Sequence, residues 1–174
     1  MNKQDILVEI ENLVINFYTY NGIVRAIDGV DLIINKGETF GLVGETGCGK
    51  TVLGRALLRL LPPGARVCGS VLFDGQDVLS LPESDMVRIR GGGMAMVMQN
   101  PSASLNPLMR VVDQVAEVYE PIHGRKEALQ LAREMLERLG IGRERHRDYP
   151  HQFSGVMRQR VMLAITFSLR PSML

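Results

Sequence analysis

The segment Gly44-Glu45-Thr46-Gly47-Cys48-Gly49-Lys50-Thr51 constrains this chain more than any other. It satisfies the pattern G-x-x-x-x-G-K-[S/T] in full. Before it stands a short apolar run, Thr39-Phe40-Gly41-Leu42-Val43, of the kind a buried central strand shows. After it Val52, Leu53, Ala56, Leu57 and Leu60 recur at helical spacing until Pro62-Pro63-Gly64 stops the run. Strand, glycine loop and helix in that order suit phosphate binding. Glycines let the backbone wrap closely with successive N–H groups inward, and the helix start adds its positive dipole end. Lys50 offers a mobile cation for the β- and γ-phosphates, and Thr51 a hydroxyl for Mg²⁺. Such a loop serves kinases, GTPases, helicases and transport ATPases alike, so other residues must decide among them. The nearest approach to the guanine-reading Asn-Lys-x-Asp is Asn35-Lys36-Gly37-Glu38, upstream of the loop and ending in the wrong residue, which disfavours a GTPase.

Composition narrows the field further. The 174 residues are 45% apolar and 22% charged, the balance of an ordinary globular chain rather than a disordered or disulfide-stapled one. Lys plus Arg at 20 against Asp plus Glu at 19 leaves a formal charge of +1, so no bulk attraction draws the chain to nucleic acid or anionic lipid, and anion binding must be local. Two cysteines, Cys48 and Cys68, and an acidic opening MNKQDILVEIEN with no long apolar run lead us to expect a reducing, cytoplasmic address. Apolar stretches such as Val161 to Ile165 fall far short of the roughly 20 residues a membrane span needs.

Between Leu7 and Ile34 short alternating runs are broken at Tyr20-Asn21-Gly22 and Asp28-Gly29, which predicts a small antiparallel sheet of short strands. Val67 to Phe73 reads as a further strand closed by Asp74-Gly75, and Met94 to Met98 as another ending at Gln99. Pro101 to Pro107 reads as loop. Helices follow: Val111 to Tyr119, then Lys126 to Leu139 with Ala128, Leu131, Ala132, Met135 and Leu136 on one face and Gly140 as C-cap. A last helix is capped by Ser154 and runs to about Leu169, ahead of Pro171.

Several segments together resemble one family, the ATP-binding subunits of ABC transporters, in the oligopeptide, dipeptide and nickel importer branch. Phe17, in Asn12-Leu13-Val14-Ile15-Asn16-Phe17, sits where that family stacks an aromatic ring on adenine. Met98-Gln99-Asn100-Pro101-Ser102-Ala103-Ser104-Leu105-Asn106-Pro107 looks like the Q-loop with the tail typical of peptide importers. Tyr149-Pro150-His151-Gln152-Phe153-Ser154-Gly155-Val156-Met157-Arg158-Gln159-Arg160-Val161 resembles the signature, and Gly69 to Asp77 the second antiparallel hairpin.

The resemblance implies an α/β P-loop NTPase fold of ABC type. An antiparallel β subdomain and P-loop core would occupy residues 6–99, and a helical subdomain carrying the signature residues 100–170. It implies ATP and Mg²⁺ as cofactors, with Phe17, residues 44–51, Ser154 and Gly155 holding nucleotide, Lys50 and Gln99 in the catalytic site, and Thr51 and Gln99 at the metal. Ser154 and Gly155 would meet the γ-phosphate held by a second ATPase subunit. Permease subunits, and indirectly an external binding protein, complete the expected partners, with no nucleic acid. The expected place is peripheral, on the inner face of the cell membrane.

Two departures stand out. Val156 replaces the second signature glycine, and its β-branched side chain is expected to crowd an approaching phosphate and to resist positive φ. No acidic residue follows Asp148, and the chain stops where the family's Walker B strand would begin, so the fold is expected to be C-terminally incomplete relative to the family. The expectation is weak nucleotide binding and negligible hydrolysis for this chain alone. A second reading, a non-catalytic ABC-like remnant or interaction module, stays open.

Overall fold

The computed structural model describes residues 5–174. Residues 1–4, where the acidic N-terminal stretch begins, lie outside them. The described residues group into two units, one ending at Ile89 and the other spanning Arg90–Leu174.

In the first unit the alternating runs form two long strands instead of several short ones. Strands β1 (Ile6–Thr19) and β2 (Gly22–Asn35) pair antiparallel across a two-residue turn. The expected break at Tyr20-Asn21-Gly22 is the turn between them, whereas the one at Asp28-Gly29 becomes an irregularity within β2. Asn12 takes φ 47° in β1 and Gly29 φ 72° in β2, and Asn12 N donates to Asp31 Oδ1 at 2.6 Å, so the ladder kinks without ending. On its other side β1 pairs with β3 (Ala65–Phe73), which turns through Asp74 and Gly75 into β4 (Gln76–Asp77), giving the sheet order β2-β1-β3-β4. Both turn residues have positive φ, 46° and 79°, the backbone a two-residue hairpin demands and an Asp-Gly pair supplies. Val8, Ile10, Leu13, Ile15 and Val71 are fully or almost fully buried.

Helix α1 (Lys50–Leu57) buries Leu53, Ala56 and Leu57, as the spacing requires, but ends before Pro62. Arg59 adopts φ 52° and donates from Nη1 to Leu81 O at 2.5 Å, a contact a straight helix would not allow. A short helix, α2 (Glu83–Arg88), buries Met86.

Two expected strands are not formed. Residues 39–43 are irregular, with Phe40, Leu42 and Val43 exposed. A strand exists through its ladder, and no described strand pairs with this segment. Of residues 94–98 only Met94 pairs, in a single parallel bridge to Met173, supported by Ala95 N to Met173 O at 3.0 Å and Met173 N to Gly93 O at 3.1 Å.

The second unit is helical. Pro101–Ser104, expected as loop, makes one helical turn, α3. The two expected helices appear as α4 (Val111–Arg138), broken at Gly124, whose φ 71° and ψ 162° are not helical. Arg125 spans that break, paired with both Asp113 and Glu120. Past the C-cap Leu139, Gly140 takes φ 76°, with Gly140 N donating to Glu137 O at 2.9 Å and Ile141 N to Leu136 O at 3.0 Å. That double closure satisfies the carbonyls of Leu136 and Glu137 in the last turn. Helix α5 (Gly155–Ser168) completes a core in which Val111, Val115, Ala132, Leu136 and Val161 are fully buried. No described helix is long and apolar enough to cross a membrane.

Candidate functional site

The glycine loop is built against β2. Gly49 stands at the N-cap of α1 with φ 94°, and a Cβ there would lie 2.6 Å from Ala26 O and 2.9 Å from Ile27 Cδ1. Only glycine permits that conformation and that approach together. No side chain caps α1, so the first-turn amides of the helix are not used by a local acceptor side chain. Lys50 Nζ donates to Gly44 O at 2.7 Å and Glu45 O at 2.6 Å, and lies 3.3 Å from Cys48 Sγ. The cation therefore sits over the mouth of its own loop. Glu45, Thr46, Gly47 and Thr51 are exposed around it. Uncapped amides, a glycine that admits close backbone approach and a lysine at the mouth form a donor set that fits a polyphosphate.

The Lys50 hydrogen bond is the main cause that holds the Cys48 thiol below its ordinary pKa, against a smaller opposing effect of desolvation. Cys48 is exposed and unpaired with another cysteine.

Phe17 reaches the same side of the sheet. Ile15 is in register with Ile27 on β2 and Val67 on β3, and Phe17 follows two residues later opposite Ala65, so the two share a face. Ile27 Cδ1 lies 2.9 Å from where a Cβ on Gly49 would stand, which places Phe17, half-buried, on the face that carries the loop.

The remaining expected site residues belong to the second unit. Gln99 lies exposed in a bend after the Met94 bridge. Ser154 is the N-cap of α5, its Oγ accepting from Met157 N at 3.3 Å, and Gly155 is exposed beside it. Val156 occupies the first turn with helical backbone and is 64% exposed. Positive φ is therefore not asked of it, and the obstacle expected at this position reduces to the bulk of its side chain.

Two polar residues that sequence reasoning passed over organise the segments around Gln99 and Ser154. Gln114, 7% exposed, donates from Nε2 to Asn106 O and Met109 O and accepts from Asn106 N, all at 2.9 Å. It fixes residues 106–109 to α4. A glutamine on the otherwise apolar face of Val111, Val115 and Ala116 was the available signal. Arg145 holds the segment before Ser154 through Asp148 Oδ2 at 2.5 Å and Gln152 O at 2.8 Å. In a run as basic as Gly142-Arg143-Glu144-Arg145-His146-Arg147 nothing marks one arginine from its neighbours.

Residues 27–174 match the family described as ABC transporter. The chain is 42% identical over 175 residues to the oligopeptide transport ATP-binding protein OppD of Bacillus subtilis, covering 97% of this chain and 49% of that protein. It is 40% identical to the dipeptide transport ATP-binding protein DppD of the same organism, covering 97% and 52%, and 39% identical to OppD of Escherichia coli, covering 99% and 52%. It thus spans about half the length of the curated relatives it matches. Among solved structures it resembles the dimeric bacterial ABC transporter cassette MJ0796, with a TM-score of 0.83 at 23% identity over 95% of this chain and 71% of that one. The same cassette in a post-hydrolysis state bound to ADP and Pi gives 0.82 at 24% identity, with the same coverage. These likenesses establish the fold, an α/β P-loop cassette with an antiparallel sheet and a helical part.

Proposed function

The chain belongs to the ABC transporter family, and on that premise we propose that it forms the ATP-binding part of the energising subunit of a peptide importer. The observation that carries the reading is the Lys50 ammonium, 2.6 Å and 2.7 Å from two loop carbonyls, over the uncapped, glycine-started helix α1. Amides of residues 44–51 enclose the triphosphate, Lys50 supplies the counter-charge, and Phe17 on the same sheet face offers its ring to adenine. Mg²⁺ bound with ATP would supply positive charge to offset that of the phosphates. Such an ion takes few ligands from protein, and within the first unit the Thr51 hydroxyl would be the group that holds it. The oligopeptide and dipeptide transport names of the relatives support peptide as the cargo class.

In this reading Ser154 and the amides that open α5 meet the γ-phosphate of a nucleotide held by a second ATPase subunit. The partner in the membrane is a permease, against which the chain sits peripherally on the inner face, with an external binding protein delivering the peptide. Val156 is the one observation that favours a second reading, an interaction module without transport, since its side chain stands at the start of α5 where the phosphate would approach.

Equilibrium binding of ATP with and without Mg²⁺, for the chain and for its Lys50→Ala variant, tests the proposal. Magnesium-dependent binding lost in K50A is expected; equal affinity in the two would end it. Restoration of ATP-driven self-association by Val156→Gly would separate the first reading from the second.

A further inference from the structure

Helices α4 and α5 both begin at one short segment, residues 145–153. The start of α4 has no side-chain cap; Val111 N donates to Asp148 O at 3.0 Å and Val112 N to His146 O at 3.2 Å. Two otherwise free helix amides are satisfied by backbone of this segment. His146 is itself fixed, 3% exposed with Nε2 3.0 Å from Ile141 O. At its far end the segment delivers Ser154, the cap of α5, and Arg158 reaches back from α5 to Pro150 O at 2.8 Å.

One guanidinium joins these two ends. Arg145 Nε donates to Asp148 Oδ2 at 2.5 Å, and Nη2 donates to Gln152 O at 2.8 Å. Nη1 lies 3.9 Å from Met157 Sδ, and Cζ lies 4.7 Å from the centre of the Phe153 ring. Phe153 is 3% exposed and belongs to the buried cluster that also contains Val111 and Val161. A planar fork bonded along two edges and stacked on a buried ring has little freedom to reorient without moving its partners. Its partners are the residue whose carbonyl caps α4 and the residues that lead into the cap of α5.

We propose that Arg145 is a positioning residue that couples the start of α4 to the start of α5, so that a displacement at Val111 and Val112 repositions Ser154 and the amides of Gly155, Val156 and Met157. It rests on the reading of Ser154 as the contact to a nucleotide on a second subunit, and it names how that contact is regulated: through the packing of α4. The coupling passes along Val111 N, Asp148, Arg145, Gln152 and Ser154.

Amide hydrogen exchange on the whole chain, resolved at residues 111–112 and 155–158, tests the coupling in the absence of nucleotide. R145M is expected to raise exchange about tenfold at both helix starts while the sheet β1–β3 stays protected. D148N removes only a carboxylate charge on the α4 side, yet is expected to raise exchange at Met157 and Arg158 as well. R145K keeps a charge for Asp148 but lacks the second arm, and is expected to hold α4 and release α5. Exchange that changes at one helix start alone in both R145M and D148N would overturn the proposal, as a purely local loop contact gives that result. Should R145M fail to fold, D148N carries the same test: exchange raised at only one of the two helix starts would overturn the proposal. Because no ATP is used, a chain that binds no ATP would sink the proposed function and leave this measurement standing.

Discussion

A Cβ on Gly49 would lie 2.6 Å from the carbonyl oxygen of Ala26, so the glycine loop is pressed onto β2 at the residue where α1 begins. Loop, helix and sheet meet at one backbone contact. The cradle therefore takes its shape from the sheet as well as from its own eight residues.

Gly49→Ala is expected to cost about 2–4 kcal/mol, from left-handed backbone in a residue with a Cβ and from the overlap with Ala26. Thermal unfolding of the variant should show a lower midpoint and nucleotide binding should fall in parallel. An unchanged midpoint would mean that the loop does not rest on β2.

Cys48 is expected to react with alkylating agents at lower pH than an ordinary thiol. The lowered thiol pKa, caused chiefly by the Lys50 hydrogen bond, makes the thiolate available as pH rises through the lowered value rather than the usual one. Lys50→Met should move the pH midpoint of labelling upward, and ATP with Mg²⁺ should slow labelling in the unsubstituted chain. Labelling indifferent to ATP would place Cys48 outside the nucleotide's reach.

Gln114→Leu preserves size but strands an amide and two carbonyls of residues 106–109. The expected loss is about 1–3 kcal/mol, the cost of leaving such groups unsatisfied. Exchange at Asn106 and Leu108 should rise more than in the rest of α4. Leu108, 85% exposed, is presented by this loop, so a partner that grips it would bind the variant more weakly. Uniform protection across the loop would show that Gln114 is not its anchor.

Gly69→Ala probes the kink shared by β1 and β3. A Cβ there would lie 2.4 Å from Asn12 O and 2.6 Å from Glu11 O, at φ 96°. Loss of about 2–4 kcal/mol is expected, read as a lower unfolding midpoint. Tolerance of the alanine would mean that the two strands separate at the kink without cost.

What the sequence determined by itself is chemistry confined to a few consecutive residues. The loop 44–51 was legible because a backbone cradle is made by neighbours in the chain, and the same holds for the Asp74-Gly75 turn, the closure at Gly140 and the Ser154 cap. Tertiary structure decided whatever depends on a distant partner. Residues 39–43 and 94–98 have the composition of buried strands, yet a strand requires a ladder, and only Met94 found one. The face shared by Phe17 and the loop followed from the register of β1 against β2 and β3, which no local pattern contains. Arg145 looks like a surface residue until folding bends the chain around it, and Gln114, marked in the sequence only by its apolar helix face, finds its partners once folding buries it. A hydrogen-bond partner five or eight residues away becomes available only once the turn between them exists, and packing against the core is what creates that turn.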